Sequence, residues 1–164
     1  MSFNHFDAAG NAIMVDVSAK QPTMRTAVAA AVLTLKPETV RSIVEGRVAK
    51  GDVLGVARIA GIAGAKRTPE LIPLSHPLAI HHVAIEFQVD PDQGRIEVHA
   101  TVRAFERTGV EMEAMTAATV AALTVYDMCK GSDKGIVISD IALLFKEGGK
   151  SGVYRRDPEQ AHPS

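Results

Sequence analysis

Apolar and polar residues alternate in two stretches near the start of the chain. Ile13, Val15 and Val17 form the first stretch, and the second runs over residues 25–35. Alternation with a period of two is typical of strands that bury one face, and Gln21 followed by proline favours a turn between the stretches. The chain is therefore predicted to open with a pair of β-strands.

The same alternation predicts a β-hairpin in the middle of the chain and one further strand near its end. The hairpin strands cover residues 80–89 and 95–105, and residues 90–94 between them are rich in turn formers. Residues 136–144 give the last strand.

Three other segments repeat apolar residues at helical spacing. A short helix is predicted from Pro37 to about Gly46, because proline is tolerated in a first helical turn and glycine favours an end. A second helix begins after Asp52, and the small residues on its apolar face let another backbone approach closely. A long helix follows Gly109 and ends near Gly131.

These elements predict an α+β fold with a ferredoxin-like antiparallel sheet and helices packed on one face. The 164 residues are 46% hydrophobic but only 4% aromatic, which suits one domain with a core of Ala, Val, Ile and Leu. No repeat or flexible linker divides the chain. We therefore predict a single domain over residues 1–154 and a polar tail, expected to be disordered, over residues 155–164.

Charge and cysteine content narrow the classes of function. The 18 basic and 19 acidic residues nearly cancel, so an anionic ligand must be met by a local cluster of cations. The single cysteine, Cys129, excludes an internal disulfide and a zinc site built on several thiolates, and it favours the reducing cytoplasm. No signal pattern or apolar run of about 20 residues is found, so we expect neither export nor a membrane span.

The segment over residues 66–78 contains three prolines and is too apolar for a solvent loop. Proline fixes φ and removes a hydrogen-bond donor, so we expect neither helix nor central strand, but a rigid extended wall that ends at His76. Backbone groups held in fixed directions beside a titratable imidazole predict a pocket. A lone histidine in a turn is nevertheless more often a hydrogen-bonded structural residue than a ligand.

Five motifs carry a resemblance to a known family, and they cover residues 16–20, 66–78, 109–116, 121–130 and 148–152. Together they resemble the cyclic pyranopterin monophosphate synthases, the MoaC family of molybdenum cofactor biosynthesis. The resemblance extends over residues 6–154. The chain departs from the family pattern at Ser75, where cysteine is frequent, and at Gly131 and Ser132, which replace an Ala-Val pair.

The resemblance implies a lyase that converts a cyclised dihydroguanosine triphosphate to cyclic pyranopterin monophosphate and releases diphosphate. Asp127 is implied as the catalytic acid or base. Substrate binding is implied for Leu74, Ser75, His76, Met112 and Glu113. The family also implies a homohexamer, arranged as a trimer of dimers, with substrate bound between subunits. No redox cofactor is implied, and a magnesium ion travelling with the triphosphate is compatible with this activity.

Asp127 and Lys130 lie three residues apart on the predicted long helix, so their side chains are neighbours that can exchange a proton through substrate. The helix dipole in the last turn disfavours the carboxylate and would keep the aspartate a usable acid, whereas the adjacent ammonium has the opposite effect. An ordinary surface ion pair is the alternative. With Lys50, these two residues are our candidates for proton transfer during the ring rearrangement.

Glu113 and Asp127 share the long helix but are fourteen positions apart, which is about 21 Å along the helix axis. Two groups at that distance cannot act on the same bond. Either each handles a different end of an extended ligand, or a second copy of the chain brings them together.

Formation of a cyclic phosphate requires cations that hold the triphosphate and neutralise the charge that develops as diphosphate leaves. Our candidates for this role are Arg25, Lys66, Lys146 and His76. The residues around Lys150 resemble a phosphate loop, but Leu144 stands where a P-loop needs glycine, so that interpretation fails. His81 and His82 point to opposite faces of a strand, and we predict no metal site.

Two rival functions differ in what they require. A ferredoxin-like sheet hosts many functions, so a noncatalytic nucleotide-binding regulatory module is the alternative to an enzyme. RNA binding on the open face of the sheet is disfavoured, because Phe87 and Phe105 alone do not make a stacking platform.

Overall fold

The structure is a computed structural model that describes residues 5–157. Its strands are β1 (Thr23–Thr34), β2 (His82–Asp90), β3 (Arg95–Glu106), β4 (Val137–Glu147) and β5 (Tyr154–Arg155). Its helices are α1 (Pro37–Val44), α2 (Val53–Lys66), α3 (Thr68–Leu71) and α4 (Glu111–Cys129). Along the chain, α1, α2 and α3 lie between β1 and β2, and α4 lies between β3 and β4.

The five strands form one antiparallel sheet in the order β2-β3-β1-β4-β5. The central strand β1 pairs with β3 along its whole length, from Thr23 opposite Glu106 to Thr34 opposite Arg95. Helix α4 packs across β1, β3 and β4, and α2 lies beside it over β2. The predicted α+β, ferredoxin-like arrangement with helices on one face is confirmed.

The core lies between this sheet and α4. On β1 and β3, every second side chain is fully buried, including Leu33 and Ile96, and burial of side chains of this size stabilises the fold by about 2 kcal/mol each. The facing side of α4 is built from alanines, which let the helix lie close to the sheet. Between α2 and α4 the fit is equally tight, because a Cβ atom on Gly61 would lie 3.0 Å from the carbonyl oxygen of Ala117.

The predicted opening strand pair is wrong. Within the described residues, 13–17 form no ladder with β1, and the bridge found nearby joins Phe6 to Ala12. Val15 and Val17 are half-buried because they line a pocket, whereas Ile13 is exposed. The alternation therefore reflects one face turned towards a cavity, which requires no strand partner.

The expectation that the proline-rich segment contains no helix is also wrong. Pro69 lies in the first turn of α3, where backbone N–H groups have no partner within the helix, so the missing N–H of proline costs no hydrogen bond. The fully buried Thr68 donates its hydroxyl to the carbonyls of Gly64 and Ala65 at the end of α2, at 3.3 and 3.0 Å. The short helix thus continues from α2, and the rigid extended wall predicted for the whole segment is interrupted by α3, which ends at Leu71, and by the turn that follows it.

At the sheet edge, β5 pairs Tyr154 with Lys146 and Arg155 with Phe145. Arg155, placed in the polar tail by the sequence, is therefore part of the sheet. The end of that tail, residues 158–164, lies outside the described residues. None of the helices in the described part of the chain combines the length and apolarity that a bilayer span requires.

Candidate active site

A cavity of about 410 Å³ lies at the N-terminal end of α4. Three segments distant in sequence form its walls: the extended segment before β1, the loop after α3, and the turn that leads from β3 into α4. All five residues for which the resemblance implied substrate binding line this cavity, namely Leu74, Ser75, His76, Met112 and Glu113. We call it the main pocket.

A smaller cavity of about 170 Å³ adjoins the main pocket and shares Lys20 and Glu111 with it. Four basic residues line this smaller cavity, namely Lys20, Arg25, Arg107 and Lys146. We call it the cationic cavity. The Lys146 ammonium lies 2.7 Å from Glu111 Oε1, and their side chains are about 30% exposed, so one carboxylate already balances part of this charge.

His76 joins two walls of the main pocket. Its Nε2 atom lies 2.6 Å from the carbonyl oxygen of Val15. Because a carbonyl only accepts hydrogen bonds, Nε2 must carry a proton, which leaves Nδ1 as the ring atom available to a ligand. The same bond fastens the extended segment around Val15 over the pocket.

Glu113 lies in the first turn of α4 and is only 3% exposed. Burial raises the pKa of its carboxyl to about 7, and the nearby charge of Glu111 adds to the rise. A carboxyl that is half-protonated near neutral pH can both donate and accept a proton. The sequence had suggested a binding role for this residue and gave no reason to expect a shifted pKa.

Asp127, Lys130 and Lys50 form a cluster at the opposite end of α4. The Lys130 ammonium lies 2.7 Å from Asp127 Oδ1, and the Lys50 ammonium lies 3.5 Å from Oδ2 and 2.9 Å from the Asp127 carbonyl oxygen. All three side chains are more than half exposed.

The two ammonium groups decide the charge of this cluster. The hydrogen bond and charge of Lys130, followed by the charge of Lys50, lower the pKa of the Asp127 carboxyl below its usual range, and Asp127 in turn raises the pKa of Lys130. The effect of the adjacent ammonium, expected from sequence, therefore sets the direction of the shift. Asp127 is a carboxylate at neutral pH and can accept a proton or hold the ammonium groups in place.

Helix α4 is continuous between the main pocket and the Asp127 cluster, so one copy of the chain does not bring Glu113 and Asp127 together. The structure gathers ten of the eleven predicted site residues into the main pocket, the cationic cavity and this cluster. Lys66 joins none of them; it is exposed at the end of α2 and lines neither cavity.

Comparison with known proteins decides the family. The MoaC family model matches residues 14–149. The cyclic pyranopterin monophosphate synthase of Geotalea uraniireducens is 74% identical over 98% of this chain and 100% of its own length. The enzymes of that name from Geobacter sulfurreducens and Rhodospirillum rubrum are 71% and 60% identical, over 98% and 92% of this chain and 100% and 90% of their own lengths. The chain belongs to the MoaC family. The resemblance noted in the sequence is confirmed.

Two basic residues of this MoaC-family chain were not singled out from sequence. Lys20 borders both cavities, and Arg107 borders the cationic cavity. Lys20 ends one of the family motifs and Arg107 directly follows β3, but only the topology shows that both meet Lys146. Within residues 5–157, no three His, Cys, Asp or Glu side chains are grouped so that they could hold a metal ion.

Proposed function

We propose that this chain is a cyclic pyranopterin monophosphate synthase of molybdenum cofactor biosynthesis, and that it converts a cyclised dihydroguanosine triphosphate with release of diphosphate. Relatives of 60–74% identity over nearly full length carry that name. The observation that carries the proposal is the junction of a pocket of about 410 Å³, a volume typical of small-molecule sites, with a cavity lined by four basic residues. The main pocket suits a nucleotide base, and the adjoining cationic cavity suits the chain of phosphates attached to it.

The cationic cavity is the proposed phosphate site. When a ribose hydroxyl attacks the α-phosphorus, negative charge builds up on the departing diphosphate, and fixed cations stabilise it. Lys20, Arg107 and Lys146 present this charge. Glu111 competes for the Lys146 ammonium at 2.7 Å, so we expect the phosphates to replace that contact when they bind. Lys66, which the sequence also suggested, lines neither cavity of its own copy, and its role stays a prediction.

Proton transfer falls to groups at both ends of α4. Glu113, with a pKa of about 7, and His76, through Nδ1, face the main pocket and can shuttle protons during opening and closing of the ring. Lys130 and Lys50 are donors held by the Asp127 carboxylate, which accepts a proton in return. This assigns Asp127 the role of base and orienting residue.

We further propose that the complete site lies between two copies of the chain. The Asp127 cluster is exposed, and α4 separates it from the main pocket of its own copy. If a neighbouring copy places its Asp127 cluster at this pocket, the proton-transfer groups of both ends of α4 surround one substrate molecule. A homohexamer arranged as a trimer of dimers provides such neighbours, and its symmetry repeats the site.

Cofactor needs and location follow from the same chemistry. The conversion rearranges and cyclises the substrate, and we propose that it uses no redox cofactor; magnesium enters, if used, as the counter-ion of the triphosphate. The single cysteine is buried and unpaired, which is compatible with the cytoplasm that we propose as the location.

The decisive assay supplies the cyclised nucleotide to the purified protein. We expect formation of a pterin that becomes fluorescent on oxidation, together with an equal amount of diphosphate. A protein that binds the nucleotide but never converts it would instead be the noncatalytic regulatory module, and the proposal would be abandoned.

A further inference from the structure

Arg25 projects from the central strand β1 into the cationic cavity, where its guanidinium is already engaged. Nε donates to the carbonyl oxygen of Glu106 at 3.2 Å, one Nη to that of Arg107 at 3.2 Å, and the other Nη to that of Gly148 at 3.1 Å. Each of the three nitrogens therefore has a backbone acceptor. These bonds use three of the five N–H groups of the guanidinium and fix its position between the three carbonyls.

The three carbonyls belong to the ends of the two strands that flank β1. Glu106 ends β3 and Arg107 follows it, whereas Gly148 follows the end of β4. The loop after β3 carries Arg107 and leads into α4, and the loop after β4 carries Ser151, both of which line the cationic cavity. The guanidinium thus joins the two loops that face each other across this cavity.

The loop after β4 is shaped to accept the guanidinium. Gly149 has a positive φ of 74°, and a Cβ atom at this position would overlap one Nη atom of Arg25. At Gly148, where φ is 104°, a Cβ atom would lie 2.9 Å from Arg25 Cδ. Glycine therefore serves here for close approach as well as for backbone conformation.

We propose that Arg25 is a positioning residue of the phosphate site: its guanidinium sets the spacing of the two loops, and the phosphates are contacted by Lys20, Arg107 and Lys146. The planar fork of arginine meets three carbonyls in fixed directions, which a lysine ammonium on a flexible stem does not reproduce. This inference rests on the proposed function, because its main test measures kcat and KM of the proposed conversion.

The first test compares two arginines that line the same cavity. Arg25→Lys keeps the charge but loses the fork, and we expect kcat/KM to fall about 100-fold, mostly through kcat, because loop displacement misaligns the reacting groups. Arg107→Lys keeps a charge at a proposed phosphate contact, and we expect a loss within about tenfold, mostly in KM.

The second test moves the guanidinium without changing Arg25. Gly149→Ala places a methyl group where the Nη atom lies, so it should reproduce the kcat loss of Arg25→Lys, and the double variant should lose little more than either single one. Gly152→Ala is the matched control. Gly152 has a similar positive φ of 67° but no atom within 4 Å of an added Cβ, so we expect parental kcat and KM.

Calorimetric titration with inorganic diphosphate gives a readout that needs no turnover. Arg25→Lys and Gly149→Ala should weaken diphosphate binding by the same factor, and Gly152→Ala should not. The inference is overturned if Arg25→Lys keeps kcat within about twofold of the parent, or if folded Gly149→Ala is fully active. A parent protein that converts no substrate counts against the proposed function, and the diphosphate titration then decides the role of Arg25 alone.

Discussion

At the scale of single residues, burial makes the protonation of Glu113 depend on folding. Its carboxyl pKa is about 7 in the fold and 4.5 when unperturbed, so the fold favours the protonated form. The resulting stability is fully present below about pH 4.5 and is lost as the pH rises through about 7. Ionising this carboxyl in its pocket therefore weakens the fold.

Glu113→Gln replaces the carboxyl by a neutral group of similar shape, and it should abolish this dependence. We expect the variant to match the parent near pH 4.5 and to exceed its free energy of unfolding by about 1 to 2 kcal/mol near pH 8, after allowance for solvent at the pocket. Urea unfolding at both pH values measures this. In the control Glu45→Gln, which alters an exposed ion pair with Arg47, the difference from the parent should stay below about 1 kcal/mol at both pH values. Parallel curves for Glu113→Gln and parent would refute the prediction.

Asp127 and Lys50 call for an activity test. Asp127→Ala and Lys50→Ala should each lower the yield of pterin and diphosphate by at least about 100-fold, because proton transfer is lost. Their melting temperatures should stay close to that of the parent, since the side chains are 58% and 51% exposed. Asp92→Ala removes an exposed ion pair with Arg41 and serves as control. Product yields equal to the parent would remove both residues from the mechanism.

Motif resemblance named the candidate site residues, but the electrostatic state of each one depends on the fold. Residues 74–76 and Met112 line one pocket, as their shared family role suggested. The raised pKa of Glu113 arises from burial, which spacing along a sequence does not reveal. For Arg25, only the charge is evident from sequence. The three carbonyls that accept its hydrogen bonds lie about 80 to 120 positions further along the chain.

At the scale of elements, Asp133 joins α1 to the loop after α4. This carboxylate is 1% exposed and accepts hydrogen bonds from Lys36 N at 2.8 Å, Thr39 Oγ1 at 3.1 Å and Gly135 N at 3.2 Å. Burial acts to raise its pKa, but these hydrogen bonds outweigh that effect and the pKa is lowered. Its contribution to stability is therefore lost only as the pH falls through this lowered pKa.

Asp133→Ala leaves three donors without their acceptor, two at the start of α1 and one in the loop after α4. We expect the free energy of unfolding at neutral pH to fall by about 2 to 4 kcal/mol, whereas Asp92→Ala should change it by less than about 0.5 kcal/mol. Denaturant unfolding of both variants measures the contrast. Equal effects for the buried and the exposed aspartate would show that this junction contributes little.

The contact between α2 and α4 can be tested in the same way. Gly61 faces the backbone of Ala117, so the side chain in Gly61→Leu has no space and should destabilise the fold by about 3 kcal/mol or more. Ala63→Leu on the exposed side of α2 should change the melting temperature little. A stable Gly61→Leu protein would mean that the two helices are packed less closely than described.

Periodicity predicted the helices and the sheet strands because a period of two or of 3.6 residues is a local property of the chain. It failed for residues 13–17, whose alternation matches a cavity that other segments form. It also failed at α3, where the buried hydroxyl of Thr68 continues the end of α2 despite the proline that follows. In both places the local structure depends on contacts that the periodicity of the sequence does not reveal.

At the scale of the whole molecule, α4 holds two halves of the proposed site about 21 Å apart, with Glu113 near one end and Asp127 near the other. Sequence predicted this separation from the length of the helix. The structure adds that one half is a pocket and the other an exposed, charged cluster. A second copy of the chain is the simplest way to join them.

Co-expression of Glu113→Gln and Asp127→Ala tests this central claim most directly. Each variant alone lacks one half of the site and should be nearly inactive. In mixed assemblies, about one site in four combines an intact pocket from one copy with an intact cluster from another, so about a quarter of the parental activity should return. If differently tagged chains purify together in one assembly and the activity stays at the level of the single variants, the site is not shared between copies.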